Sequence, residues 1–300
     1  MVAFIDAYKE SYGVEPICKY LQIAPSTYYA HQLVALHPEK ASARAQRDAF
    51  LCAEITRIWQ ENHELYGVRK MWHMLKREGI TVARCTVERL MKQLGFKGVV
   101  RGKKVLTTRQ DKTQPCPQDK VNRQFMADRP NQLWVADFTY VSTWHGMAYV
   151  AFVIDVFSRK IVGWSASTSM TASFVLDALE QAIAMRKPEG KVVHHSDRGS
   201  QYLSIAYTQR LIDANIEASV GSVGDSYDNA LAETIIGLFK TECINRKKPW
   251  KTTSQLEWET MTWVHWYNTK RIMEPLGYIT PNEMEKNYYE NLKHIDTIAA

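Results

Sequence analysis

The chain has 300 residues, of which 45% are apolar and 23% charged, enough apolar material for two or three folded units at roughly 100 to 200 residues each. No apolar run approaches the roughly 20 residues that cross a bilayer, and the amino-terminal MVAFIDAYKE carries acids where a signal peptide is apolar, so a cytoplasmic protein without membrane partners is expected. The five cysteines, Cys18, Cys52, Cys85, Cys116 and Cys243, are scattered with no C-x-x-C pair, which points away from a disulfide framework or a zinc knuckle.

The formal net charge of +6 is unevenly spread. Residues 1–130 hold 22 Lys/Arg against 13 Asp/Glu, whereas 131–300 hold 16 against 19. Within 84–123 the count is 11 basic to 3 acidic, the footprint of a surface that displaces counterions from a phosphate backbone. A merely soluble basic linker is the alternative, weakened because the charge is concentrated in one segment, though charge alone does not exclude it.

In chain order, the first half reads as small helices. A short helix ends near Leu21, Pro25 blocks its continuation, and Ser26 is placed as the cap of a second helix carrying Tyr28, Tyr29 and His31. Apolar periodicity then runs through 43–60 and 68–78, broken by the Tyr66-Gly67 turn, and Thr86 to Leu94 forms a later helix. Both pairs fit helix-turn-helix units, although any three-helix core has the same spacing. Arg84, Arg89 and Lys92, with Arg101, Lys103 and Lys104 of the basic run, are the candidate DNA contacts. Pro115, Pro117 and Pro130 mark 105–130 as a linker.

After the linker the pattern changes to strands. LWVADFTYVST, MAYVAFVID and KIVGWSAS are rich in β-branched and aromatic residues and separated by turns, so three antiparallel strands are expected. Thr171 starts an amphipathic helix with Val175, Ala178, Leu179 and Ala182 on one side. A short strand KVVHHSD, a helix over about 204–215, a strand EASVG and a further helix follow. This is an α/β layout, a mixed five-stranded sheet with helices on both faces, and it resembles the ribonuclease H order.

Three acids sit where this layout makes them costly. Asp137 lies mid-strand, Asp197 just past a strand's carboxyl end, and Glu233 on a helix. Singly, each has a plain account: a loop hydrogen bond, a turn residue beside Gly199, a solvent-facing helix position. Together they can meet at one sheet edge and share a hard cation, with all-oxygen ligation selecting Mg²⁺ or Mn²⁺. Two such ions about 3.5 to 4 Å apart would activate the attacking oxygen and stabilise the leaving one in an in-line phosphoryl displacement. Asn229, Glu233, Gly237 and Lys240 fall on one helix stripe, which suits close approach of a DNA backbone held by Lys240 and Asn229. An ordinary solvated helix face is the alternative for that stripe alone.

WVADFTY at 134–140, HHSDRGSQY at 194–202 and SYDNALAE at 226–233 resemble the catalytic motifs of bacterial insertion-sequence transposases that share the retroviral-integrase core. Asp197 and Glu233 are separated by 35 residues and Lys240 follows the glutamate by seven, as in that family. IDVFSRKIVGW, YGVRK, ERLMKQLGF and WYNTKRIMEPLGYITPNEME extend the likeness over nearly the whole chain, with Met273 where many relatives have histidine. The chain is similar to the second-reading-frame product of the insertion-sequence-three group, which is made by frameshifting as a fusion to an upstream part that is expected to be absent here.

The resemblance implies a metal-dependent polynucleotidyl transferase that cuts and joins DNA at the ends of a mobile element. It implies binding of terminal repeats and target DNA, a dimer or larger homo-oligomer, and association with the bacterial nucleoid. The expected organisation is a helical DNA-binding region over 1–104, a linker over 105–130, a catalytic core over 131–250 and a helical extension over 251–300. A nuclease that only hydrolyses and a non-catalytic DNA-binding regulator are the rival readings; the basic amino-terminal half and Lys240 speak against the first, the intact triad against the second. Among the smaller signals, Tyr267, Asn268 and Arg271 are expected to pack on the core and Asp155 to cap the Ser158 turn. His194 and His195 are expected to be hydrogen-bonded within the strand end, and Trp134, Trp144 and Trp164 to be core.

Overall fold

The computed structural model describes residues 1–100, 127–196, 201–202, 204–220 and 230–299. It divides into two compact units, Met1–Gly98 and Val99–Ala300.

The first unit is all helical. Helices α1 (Val2–Tyr12), α2 (Val14–Tyr20) and α3 (Pro25–Leu36) gather around Ile5, Ile17, Cys18 and Tyr28. Pro25 opens α3 rather than merely ending its predecessor: it occupies the first turn with Ala24 as the cap, so Ser26 is not the cap. The missing proline N–H costs nothing there, since the first-turn donors have no intrahelical partner. Helix α4 (Ala43–Glu61) starts on Ser42, whose hydroxyl accepts the Ala45 N–H. With α5 (Val68–Arg77) and α6 (Arg84–Gln93) it encloses a second core of Leu51, Ile55, Ile58, Met71, Leu75, Val87, Leu90 and Met91. The rings of Trp59 and Phe96 stack at 3.9 Å along this core. At Gly98 an added Cβ would fall 2.5 Å from the Gly67 Cα, so the segment after α6 can cross the turn before α5 only as glycine.

The second unit is built on a five-stranded sheet in the order β3-β2-β1-β4-β5. Strands β1 (Leu133–Thr143), β2 (Gly146–Asp155) and β3 (Ile161–Ser167) form the antiparallel meander, while β4 (Val192–Ser196) and β5 (Ile216–Val220) add in parallel to β1. Helices α7 (Ala172–Arg186) and α8 (Ile205–Asp213) bury one face against Trp134, Ala136, Ala151, Val153 and Val162. Contact with α7 is close at Gly163, where a Cβ would meet the Ala178 carbonyl oxygen at 2.1 Å.

Helix α9 (Ala230–Phe239) continues through a π-helical turn (Lys240–Ile244) into the short α10 (Asn245–Lys247). It covers the opposite face with α11 (Thr253–Thr269), through Phe152, Phe239 and Trp263. The carboxyl-terminal helix α12 (Pro281–Ala299) packs on α11. The α/β sheet with helices on both faces is thus the ribonuclease H-like arrangement. Trp134 is core as expected, but Trp164 is only half-buried, and Trp144 is 66% exposed at the β1–β2 turn, where the chain reverses.

Candidate active site

Strand β1 is the middle strand, and its alternation sorts its side chains. Trp134, Ala136 and Phe138 pack on the α7 and α8 side, so Asp137 emerges on the other. Its register partner on β2 is Phe152, which packs edge-on against Phe239 of α9 at 5.1 Å. Asp137 therefore stands on the face that α9 covers. It is half-buried, and its Oδ1 accepts the N–H of Phe138 at 2.8 Å, which fixes the carboxylate against the strand.

Glu233 lies in the first turn of α9 and is exposed. Ala232, Ile235, Ile236 and Phe239 bury the other side of that helix, so burial of the apolar stripe turns Glu233 outward. Lys240, seven residues on, reaches to within 5.2 Å of the Tyr140 ring on β1. Asp137 and Glu233 are thus brought to the same side of the sheet by β1 and α9. Asp197 and Asn229 lie outside the described residues, as do Arg101, Lys103 and Lys104. The pairing of Ala136 with Ser196 sets the end of β4 beside β1 one residue before Asp137.

The neighbouring histidines are both hydrogen-bonded. His194 is buried and shares a 3.0 Å hydrogen bond between Nε2 and the Tyr207 hydroxyl, and burial holds it down at about 4, so it is a neutral imidazole. His195 shares a 3.0 Å bond between Nδ1 and the Ser219 hydroxyl of β5. Asp155 accepts the Ser158 N–H and hydroxyl at 3.0 Å each, the turn-capping role expected of it.

Composition and spacing left unread the polar framework that fastens the carboxyl-terminal helices to the sheet. At the edge strand β3, Asn268 accepts the Ile161 N–H at 3.0 Å and donates to the Ile161 carbonyl at 2.8 Å, supplying what a sixth strand would. Tyr267 donates to the Arg159 carbonyl at 3.0 Å, and Arg271 meets Glu242 at 2.6 Å with both side chains nearly buried. Beneath α12, Glu285 receives Lys160 at 2.9 Å, the Ser158 hydroxyl at 3.0 Å and Arg186 at 2.8 Å. Arg186 also donates to Asn131 at 2.7 Å, and the Asn131 N–H bonds Asp155. The WYN and R residues of the tail motif signalled this packing; Glu285, Lys160 and Arg186 carried no local signal.

Among the candidate DNA contacts in the helical unit, Arg84 and Lys92 are exposed on α6. Arg89 is exposed as well but engages Asp48 of α4 at 2.8 Å.

Asp137 and Glu233 thus lie on one side of a ribonuclease H-like sheet, and the family matches define the class of the chain as an integrase-core DNA-processing enzyme. Residues 127–226 and 214–281 match integrase core domain families, and residues 45–104 match an HTH-like domain. The chain is 58% identical over 299 residues to the transposase for insertion sequence element IS629 of Shigella sonnei, covering 100% of both. It is 52% identical to the putative transposase for insertion sequence element IS986/IS6110 of Mycobacterium tuberculosis over 90% of this chain and 97% of that one. The HTLV-2 integrase catalytic core domain, solved in complex with magnesium, matches 53% of this chain and 99% of its own at 19% identity and a TM-score of 0.44. The chain belongs to the insertion-sequence transposases of the insertion-sequence-three type, DNA-binding polynucleotidyl transferases with an integrase core.

Proposed function

We propose that Asp137, Asp197 and Glu233 form the catalytic set of this transposase and hold two divalent cations between them. The supporting observation is that Asp137, half-buried in the middle strand, and Glu233, at the start of α9, look out from the same side of the sheet, with β4 ending beside Asp137. The donors are hard carboxylate oxygens with no thiolate among them, a set that fits Mg²⁺ or Mn²⁺. When bound, such ions supply Lewis acidity for the attacking and leaving oxygens of a phosphodiester.

The chain's own residues do the rest. Asp137 is held rigidly by its bond to the Phe138 N–H, so it acts as the fixed member of the set. Glu233 sits on the first turn of α9 and completes the set from that helix. Lys240, with Asn229, holds the DNA backbone beside the acids, and the helical region over 1–104, with Arg84, Arg89, Lys92, Arg101, Lys103 and Lys104, grips the element's ends. In this reading 105–130 serve as the linker, 131–250 as the core and 251–300 as the helical extension that clamps it. Two ends must be joined in one event, so the working form is at least a dimer, residing on the bacterial nucleoid.

Labelled element ends incubated with Mn²⁺ test this reading. The wild-type chain yields both nicked and joined strands. Asp137→Asn, Asp197→Asn and Glu233→Gln lose both products by about a thousandfold or more, the loss of several kcal/mol of transition-state stabilisation, while still shifting DNA. Full activity in the Asp197→Asn chain overturns the assignment, and hydrolysis without a joined product favours a nuclease.

A further inference from the structure

We propose that the tip of the β1–β2 hairpin is a stacking edge for unpaired bases of the DNA strand that the acids cut. Trp144 stands at the turn with 66% of its surface exposed and Tyr140 on the same hairpin with 62% exposed. Exposed single side chains are ordinary on a protein surface, but two large aromatic rings on one hairpin edge, each with a cation over it, form a patch with a defined chemistry.

The tip is pinned. The Trp144 N–H donates to the Trp250 carbonyl at 3.0 Å, Thr143 pairs with Trp250, and His145 Nδ1 donates to the Lys251 carbonyl at 2.7 Å. Trp250 is itself 2% exposed and donates from its indole to the Ile244 carbonyl. The exposed rings are therefore presented by a fixed backbone, which lowers the ordering cost of binding.

Cations lie over both rings: Lys251 Nζ is 5.5 Å from the Trp144 centroid and Lys240 Nζ is 5.2 Å from that of Tyr140. The segment 240–251 carries Lys240, Arg246, Lys247, Lys248 and Lys251 against a single acid, Glu242, which is committed to Arg271. Lys247 is paired with Glu259, but Lys248 and Lys251 are exposed. Aromatic faces interleaved with ammonium groups match a nucleic acid strand, with bases for the rings and phosphates for the lysines. An apolar protein surface would leave those charges desolvated. Lys240, seven residues after Glu233 on the continuation of α9, lies over Tyr140, so this edge would take the strand beside the proposed acids. That placement of the cut rests on the catalytic set proposed above; the binding surface does not.

The test compares a forked oligonucleotide with a blunt duplex of the same sequence, read by fluorescence anisotropy with the full chain in EDTA. Trp144→Ala is expected to weaken binding of the fork about 5- to 20-fold, one base stack, and to leave the blunt duplex within about twofold. Trp144→Phe keeps most of the preference, and Lys251→Ala lowers the salt slope for the fork by about one. A 5-iododeoxyuridine in the single-stranded arm should photo-crosslink to the peptide holding Trp144. Equal behaviour of fork and duplex in Trp144→Ala, or a crosslink confined to other peptides, overturns the proposal. Since no chemistry occurs in EDTA, a wrong catalytic set shows up separately, as strand cutting that survives Asp197→Asn.

Discussion

Replacing Glu285 with glutamine removes the negative charge nearest to Lys160, at 2.9 Å, and to Arg186, at 2.8 Å, while keeping the side chain's shape; Asp155 stays 3.9 Å from Arg186. The side chains of Glu285 and Arg186 are only 7% and 11% exposed, so water does little to screen the loss. Breaking one partner of such a buried pair costs roughly 3 to 5 kcal/mol, and glutamine retains some hydrogen bonding, which sets the expectation near the lower figure, about 3 kcal/mol. In a unit of the size of Val99–Ala300 each kcal/mol moves the midpoint by about 2 to 4 °C, so a fall of about 6 to 12 °C follows.

The pH dependence has a definite sign. Burial raises the Glu285 carboxyl, but the Arg186 hydrogen bond and charge and the Lys160 charge outweigh it and leave it below the ordinary 4.5. The stabilisation from Glu285 is therefore complete above about pH 4.5 and fades as pH falls through the lower folded value. Asp155 has the opposite sign, raised chiefly by burial and in smaller part by the Glu285 charge; the substitution removes that smaller contribution, while the burial contribution is common to both proteins. Two units need not melt together, so the readout is hydrogen exchange of the α12 amides alongside thermal melts at pH 7 and at pH 4 and below. Glu217→Gln is the control, since its partner Lys191 is 72% exposed and the pair is worth at most about 1 kcal/mol. Equal, small shifts in Glu285→Gln and Glu217→Gln, or a gap that widens on acidification, would refute the reasoning.

Gly163→Ala is expected to cost about 3 kcal/mol by thermal melting, because its methyl group would meet the Ala178 carbonyl oxygen at 2.1 Å and only backbone movement can relieve that; a neutral result would mean that β3 and α7 are loosely packed. Arg84→Ala with Lys92→Ala is expected to lower the salt slope of duplex binding by about two with little change in sequence preference. Arg89→Ala, whose guanidinium already engages Asp48, should change the slope less, and anisotropy titrations from low to high salt separate the cases.

The parts of this molecule that were legible from residue order are those governed by local rules. The 3.6-residue period over 43–60 and 68–78 became α4 and α5, and the β-branched runs became β1 to β3 nearly at their expected ends. Strand alternation and helix stripes depend only on neighbours in the chain, and they already set Asp137 against the apolar side of its strand and Glu233 against that of its helix. Two local readings failed for local reasons. Ser26 is not the cap that its side chain suggests, since Pro25 itself opens α3 and the first turn of a helix tolerates proline, and the aromatic character of Trp144 suggests core although it stands exposed at a hairpin tip.

Residue types and spacings thus determined the family, the strand and helix content and the candidate acids, because motifs and periodicities are properties of the chain itself. Only the tertiary structure decided that Asp137 and Glu233 share a side of the sheet, that Asn268 closes the β3 edge across 107 residues, and that Glu285 serves as the counter-ion for Arg186 and Lys160. Such contacts join segments with no local relation to one another, and which charge meets which is chosen by the packing of whole layers.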